Sequence, residues 1–130
     1  MKNMKLFRYP IILILIYGLF ASIVFAQTSS RITFAKGRSS AVIKGIVRAN
    51  SNKDAESSCN YYLIGAKAGQ TLRAKVTAKA FLLIQSPGDL AVDEGITDST
   101  SQLEETGDYK IQVCNSTTRK LSYTLTVSVK

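Results

Sequence analysis

The last ten residues of the chain, LSYTLTVSVK (residues 121–130), alternate between apolar and polar side chains at every position. Because successive side chains of a β-strand point to opposite faces of a sheet, this alternation predicts a strand with one buried face. The face must be covered by a second layer of structure. The side chains predicted to point inward are Leu121, Tyr123, Leu125, Val127 and Val129.

The other strand-like runs are short, and no segment shows a sustained helical periodicity. Residues 60–67 and 71–79 are predicted to form a hairpin about Ala68-Gly69, and the apolar run 81–85 a strand covered on both faces. Residues 89–105 are predicted to be the least regular part. About seven short strands in one small domain indicate an all-β, antiparallel two-sheet sandwich. The predicted strands are residues 31–34, 41–48, 60–67, 71–79, 81–85, 109–114 and 121–130.

The first residues of the chain have the composition of an export signal. Three basic residues precede an apolar run over residues 11–25, which ends at the small residue Ala26. The run is shorter than the ~20 residues that a helix needs to cross a bilayer, which favours cleavage over a retained membrane anchor. We therefore predict a signal peptide over residues 1–26 and one periplasmic or secreted domain over residues 27–130, with no membrane segment after cleavage.

The charges are distributed unevenly along the chain. Removing residues 1–26 lowers the formal net charge from +8 to +5. Residues 31–79 hold ten basic and two acidic residues, whereas seven of the nine acidic residues lie in residues 89–108, which predicts a dipolar surface. Nucleic acid is not an expected partner, because exported chains rarely meet it and residues 73–79 contain no aromatic side chain to stack on bases.

Two cysteines, Cys59 and Cys114, fall in the exported part of the chain. An oxidising compartment favours a disulfide between them, and a free catalytic thiol is the alternative. By alternation Cys59 lies on the face opposite Tyr62, and Cys114 lies on the face opposite Val113. Both sulfur atoms are therefore predicted to point away from the core on neighbouring strands.

The chain contains no histidine. This excludes Ser-His-Asp and Cys-His catalysis and zinc sites with histidine ligands. Paired carboxylates for glycoside hydrolysis would have to come from residues 89–108, which lack the apolar surroundings that raise the pKa of one carboxyl group. We predict that the protein is not an enzyme and uses no cofactor.

The acidic segment is a candidate calcium site, because oxygen-rich loops suit a hard cation. The spacing of its carboxylates does not match an EF-hand. A solvated acidic segment that keeps a sheet edge from pairing is the alternative. The candidate calcium ligands are Asp89, Asp93, Glu94 and Asp98.

Five segments carry a further signal: RITFAKGRSSA (31–41), YYLIGAKAGQTLRAKV (61–76), FLLIQSPG (81–88), LEETGDYKIQV (103–113) and YTLTVSVK (123–130). In this order they resemble the family of periplasmic inhibitors of g-type lysozyme. They also resemble the bacterial pre-peptidase C-terminal domain. The resemblance extends over most of the predicted mature chain.

The resemblance implies a jelly-roll-like sandwich of seven or eight strands, whose end loops block the cleft of a g-type lysozyme. In the family, inhibition depends on a Tyr in the loop between the second and third strands and on Arg residues in the loop before the last strand. Here residues 49–58 contain no Tyr, and residues 115–120 contain a single Arg. The resemblance carries over Arg119 as a partner-binding residue, and Asn115 and Ser116 of the same loop are the other candidates. The acidic span over residues 89–108 is the alternative contact surface.

We therefore predict an exported, non-enzymatic binding protein that inhibits a g-type lysozyme-like muramidase. The alternative is an envelope accessory or carbohydrate-binding module of the pre-peptidase C-terminal type, with a cell-wall polysaccharide as its partner. The absence of a Tyr from residues 49–58 favours this alternative.

Overall fold

The computed structural model describes residues 30–50, 58–77 and 79–130, so the predicted signal peptide lies outside the described residues. The described residues contain no helix that is long and apolar enough to cross a membrane. They form β1 (Ser30–Arg31), β2 (Ser40–Val47), β3 (Cys59–Ala66), β4 (Thr71–Val76), β5 (Ala80–Gln85), β6 (Ala91–Ile96), β7 (Asp98–Gln102), β8 (Gly107–Asn115) and β9 (Leu121–Val129).

These strands form two sheets that pack face to face. The five-stranded sheet has the order β1-β3-β8-β5-β6, and the four-stranded sheet has the order β2-β9-β4-β7. Strands β2 to β9 follow the strand order of a jelly roll, and β1 extends one sheet by pairing parallel to β3. The predicted all-β, jelly-roll-like sandwich is confirmed.

The core lies between the two sheets and is built from alternate residues of each central strand. Strand β9 follows its predicted pattern, with Leu121 half-buried and the other four inward residues buried. A fully buried Leu, Ile or Val side chain contributes about 1.5–3 kcal/mol relative to an exposed one. The fully buried aliphatic side chains are Val47, Ile64, Leu72, Leu82, Ile84, Ile111, Val113, Leu125 and Val127.

The predicted hairpin between residues 60–67 and 71–79 is wrong. Strand β3 pairs with β1 and β8, whereas β4 pairs with β7 and β9 in the other sheet. The expected turn is present: the N–H of Gln70 donates to the carbonyl oxygen of Lys67 at 3.1 Å, and Gly69 has a φ of 89°. The turn carries the chain across the gap of about 10 Å between the sheets instead of returning it to the same sheet.

Two further segments differ from their predictions. Strand β5 is covered on one face only, since its even-numbered residues are buried whereas Phe81 and Leu83 on its outer face are half-buried. Residues 89–105, predicted to be the least regular part, contain β6 and β7. Strand β6 pairs with β5 through two register shifts. A polar or irregular edge strand lacks the alternation that marks a strand in a sequence.

A polar cluster connects the two sheets inside the core. The hydroxyl groups of Tyr62 on β3 and Tyr123 on β9 share a hydrogen bond, and Nδ2 of Asn60 donates to Oη of Tyr123 at 2.9 Å. A Cβ atom at Gly45 would lie 2.5 Å from Oη of Tyr123, so glycine is required there. Burial, together with the hydrogen bond to Tyr123, raises the pKa of Tyr62 above its ordinary value, so its hydroxyl group stays neutral.

The predicted disulfide between Cys59 and Cys114 is confirmed. The two residues lie directly opposite each other on β3 and β8, which are neighbouring strands as predicted. They alternate with the core residues as predicted, yet Cys114 is only 1% exposed. Strand β5 pairs with the other side of β8, where Phe81 lies opposite Cys114. The disulfide between β3 and β8 is therefore flanked by β5 as well.

Reducing this disulfide is expected to lower the free energy of unfolding by about 4 kcal/mol, because the unfolded chain regains the entropy of a long closed loop. Guanidinium unfolding in oxidising and in reducing buffer, with the free thiols confirmed by mass, measures the change. The double variant Cys59→Ala/Cys114→Ala is the control, since its stability should not respond to the reductant. An unchanged midpoint for the fully reduced native chain would contradict the prediction.

Candidate functional site

Three connections meet at one end of the sandwich: the chain after β2, the link from β4 to β5, and the loop from β8 to β9. We call the described residues of these connections, 48–50, 77, 79 and 115–120, the loop end. Residues 51–57, which complete the connection from β2 to β3, lie outside the described residues. The loop end therefore contains residues 49–50 and 115–120 of the two loops that the sequence resemblance singled out.

The side chain of Asn115 organises the loop end and is 0% exposed. Its Nδ2 donates to the carbonyl oxygens of Arg48 at 2.9 Å and Arg119 at 2.6 Å. Its Oδ1 accepts from the N–H of Thr117 at 2.8 Å and from the Oγ1 hydroxyl of Thr117 at 2.7 Å. An amide side chain has two donor hydrogens and two acceptor lone pairs, so every one of them is used.

Further hydrogen bonds connect the three segments. The Oγ hydroxyl of Ser116 donates to the carbonyl oxygen of Lys79 at 2.6 Å, and Lys79 adopts a φ of 76°. The N–H of Asn50 donates to the carbonyl oxygen of Thr117 at 3.1 Å. The Oγ1 atom of Thr117 also lies 2.9 Å from the carbonyl oxygen of Arg119, so its single hydroxyl hydrogen is shared between this oxygen and Oδ1 of Asn115. These hydrogen bonds thus hold the three segments of the loop end together.

The charged side chains of the loop end are all basic and all exposed. No acidic residue occurs in residues 48–50, 77, 79 and 115–120. A surface with one sign of charge attracts a partner that presents carboxylates or other anions. The basic residues of the loop end are Arg48, Lys79, Arg119 and Lys120.

The structure places the three candidate partner-binding residues in the loop end. Asn115 points inward and holds the loop, whereas Ser116 and Arg119 are exposed. A role of these residues in binding a partner stays a prediction. Arg48 and Lys79 were missed, because no local pattern indicates that the ends of β2 and β4 reach the loop before β9.

The four candidate calcium ligands are distributed along an edge of the sandwich. Asp89 lies in the turn before β6, Asp93 and Glu94 lie on β6, and Asp98 lies on β7. Hydrogen bonds from Arg73 to Asp98, at 3.4 and 3.2 Å, lower the pKa of this carboxyl group below its ordinary value. No group of three or more His, Cys, Asp or Glu side chains suited to a metal ion occurs among residues 30–50, 58–77 and 79–130. Calcium binding stays a prediction.

A cleft of about 440 Å³ opens at the other end of the sandwich, beside the turn between β5 and β6. The hydroxyl group of Tyr109, which lines it, donates to the carbonyl oxygen of Glu105 at 2.7 Å. A carboxylate oxygen of Glu105 accepts from the N–H of Gly88 at 3.1 Å. These polar groups are hydrogen-bonded within the chain and hold the loop before β8, so their presence in the cleft does not indicate a ligand.

The fold and the loop end together define a β-sandwich of the jelly-roll class whose loop end, in its described residues, is hydrogen-bonded and carries only basic charges. No family model and no curated protein sequence matches the chain. Solved structures do: PliG from Aeromonas hydrophila, a periplasmic lysozyme inhibitor of g-type lysozyme, matches with a TM-score of 0.65 and 26% identity. The match covers 79% of this chain and 96% of PliG.

Two other PliG structures share the fold at lower identity. PliG from Salmonella Typhimurium has a TM-score of 0.63 and 18% identity, and a PliG mutant from Escherichia coli has a TM-score of 0.61 and 21% identity. Each match covers 81% of this chain and 100% of the other. The resemblance to periplasmic inhibitors of g-type lysozyme is therefore confirmed as a structural similarity.

Replacing Asn115 by Asp is expected to destabilise the fold by about 2–4 kcal/mol, because it removes both N–H donors and buries a carboxylate. The carbonyl oxygens of Arg48 and Arg119 then lose their partner. Urea unfolding measures the change. Ser116→Ala is the matched control, since it removes one exposed hydrogen bond in the same loop and should cost about 1 kcal/mol or less. Equal stability of the two variants would contradict the role given to Asn115.

Proposed function

We propose that this chain is a periplasmic, non-enzymatic inhibitor of g-type lysozymes and that it acts through the loop end. The observation that carries the proposal is the match to PliG from Aeromonas hydrophila, with a TM-score of 0.65 over 79% of this chain. The loop before the last strand, which the resemblance implied in inhibition, is here a hydrogen-bonded basic surface. Both the scaffold and the chemistry of the loop end support this function.

The proposed mechanism is occlusion of the catalytic cleft by a cation. Lysozymes hydrolyse glycosidic bonds, and glycoside hydrolases place carboxyl groups on both sides of the scissile bond. A guanidinium group pairs with a carboxylate through two parallel hydrogen bonds. In this role Arg119 would compete with substrate for the carboxylates of the enzyme.

The structure supports Arg119 as the inserting residue because its backbone is fixed and its side chain is free to reach a partner. The carbonyl oxygen of Arg119 accepts from Nδ2 of Asn115 and lies 2.9 Å from the Oγ1 hydroxyl of Thr117. The side chain is exposed. A fixed loop loses little conformational entropy on binding, which favours affinity. Arg48 and Lys79 add positive charge around it and strengthen the attraction to an anionic cleft.

The proposal predicts that the purified domain inhibits turnover of a g-type lysozyme and that Arg119→Ala inhibits at least about tenfold less well, a loss of ~1.4 kcal/mol. Turnover is measured with insoluble peptidoglycan and with a short soluble oligosaccharide. Arg38→Ala is the matched control, since it removes the same charge from the turn before β2, at the other end of the sandwich. No inhibition by the native domain at micromolar concentration, or equal inhibition by both variants, would refute the proposal.

A second candidate function, binding of a cell-wall polysaccharide, is favoured by the outer face of the five-stranded sheet. Tyr61, Gln112 and Leu83 lie in one row across β3, β8 and β5. Nζ of Lys110 lies 5.8 Å from the centre of the Tyr61 ring. An aromatic ring beside amide and ammonium donors suits a sugar chain, since the ring contacts the apolar face of a sugar and the donors bind its hydroxyl groups.

The two substrates in the lysozyme assay separate the two functions. A domain that blocks the enzyme lowers the turnover of both substrates. A domain that only coats polysaccharide shields the insoluble peptidoglycan and leaves turnover of the soluble oligosaccharide unchanged. The second result would replace the inhibitor by a polysaccharide-binding module.

We also propose that residues 1–26 are a signal peptide and that the mature domain is residues 27–130. The disulfide between Cys59 and Cys114 supports export, because such bonds persist in oxidising compartments. The intact mass of the protein recovered from the periplasm should correspond to a chain that begins at Gln27. A mass that includes residues 1–26 would contradict the proposal.

A further inference from the structure

The two sheets end in four edge strands: β1 and β6 in one sheet, β2 and β7 in the other. An edge strand exposes N–H and C=O groups that can pair with another chain, and proteins usually protect it by shortness, irregularity or charge. Strand β1 has two residues, β6 has two register shifts and carries Asp93 and Glu94, and β7 has five polar residues that include Asp98. Each of these three edges is protected.

Strand β2 differs from the other three edges. It has eight residues, it pairs with β9 along its whole length without a register shift, and Lys44 is its single charged residue. Its outward side chains include Val42, which is 64% exposed, and Ile46, which is 57% exposed. Leu90 is the third large hydrophobic side chain with such exposure among the described residues.

The hydrogen-bond pattern shows which backbone groups of β2 face the free edge. The N–H of Val129 donates to the carbonyl oxygen of Ser39 at 2.9 Å. Because bonded and non-bonded pairs alternate along an antiparallel ladder, the odd-numbered residues of β2 bond to β9 and the even-numbered residues face the free edge. The hydrogen bond from Nδ2 of Asn60 to the carbonyl oxygen of Ile46, at 2.9 Å, agrees with this assignment.

We propose that β2 is a self-association site, at which two copies of this protein pair antiparallel through the edge at residues 40–44. The two-fold axis passes between Val42 and Val42 of the second copy. Ser40 of each copy then lies opposite Lys44 of the other. The two four-stranded sheets become one continuous sheet, and the contact is isologous because each copy contributes the same edge.

Charge and hydrogen bonding select this register among those that the edge allows. A register centred on Lys44 places two lysines directly opposite each other, which is unfavourable. A register centred on Ile43 pairs Ser40 with Ile46, whose carbonyl oxygen already uses one of its two lone pairs for Asn60, and it places each Lys44 opposite Val42 instead of Ser40. In the register centred on Val42, the two lysines are about 14 Å apart along the strands, a separation of four residues. This exceeds the Debye length of about 8 Å at physiological salt.

A contact through one strand from each copy is small, so the dimer is expected to be weak and to form at high protein concentration. Both copies are positively charged near this edge, through Lys36, Arg38 and Lys44. Added salt screens this repulsion and is therefore expected to strengthen the dimer. Attraction between a basic and an acidic surface would respond to salt in the opposite way.

Sedimentation of the mature native chain, over a protein concentration range of roughly 0.01–1 mM and at low and high salt, tests the proposal. A dimer should form with rising concentration and form more readily in high salt. Val42→Lys places two lysines opposite each other at the axis and should weaken association at least about tenfold. Leu90→Lys is the matched control, because it makes the same change at an equally exposed position elsewhere and should associate like the native chain.

Mixing variants tests the register itself. Val42→Glu alone should associate as poorly as Val42→Lys, whereas an equimolar mixture of the two should recover association, because the axis then places opposite charges together. Hydrogen exchange supplies a second readout that does not depend on a substitution. The backbone N–H groups of residues 40, 42 and 44 should exchange freely in dilute protein and become protected in concentrated protein.

Three results would overturn the proposal. A chain that stays monomeric at every concentration and salt has no self-association site. Association that weakens with salt, or that Leu90→Lys reduces as much as Val42→Lys, belongs to another surface. Protection of residues 40, 42 and 44 in dilute monomer would show that the rest of the same chain covers this edge.

Discussion

The pairing of β3 with β8 is the interaction on which the rest of the structure depends. It joins segments that are far apart in sequence, and the disulfide between Cys59 and Cys114 fastens it at one end. Asn115 follows Cys114 directly, so the disulfide also positions the side chain that organises the loop end. Strand β5 pairs with the other side of β8. The position of β8 therefore also determines where the link from β4 to β5 meets the loops.

The sandwich keeps the two proposed binding surfaces apart from the core. The loop end offers exposed basic side chains on a hydrogen-bonded backbone, and the edge of β2 offers free N–H and C=O groups. Proteins place binding residues on loops because a rigid scaffold can hold them while their sequences vary.

The comparison with PliG shows how far a fold extends beyond sequence identity. At 18–26% identity the structures still superpose with TM-scores of 0.61–0.65, because the buried alternate residues need only be apolar and of suitable size. The exposed loops obey no such constraint. Residues 49–58 contain no Tyr and residues 115–120 contain one Arg, so the loops differ in composition where the core keeps its pattern.

The sequence by itself determined which residues of the central strands point inward, that the chain forms a β-sandwich, and on which face of its strand each cysteine lies, because alternation and spacing are local properties of a strand. Only the tertiary structure decided which strands are neighbours. Residues 60–67 and 71–79 alternate as a hairpin would, yet they lie in different sheets. The burial of Asn115 among three loops could not be predicted from the sequence either. Which strands pair with each other depends on contacts between segments that are distant in the sequence, and no local pattern encodes the free energy of those contacts.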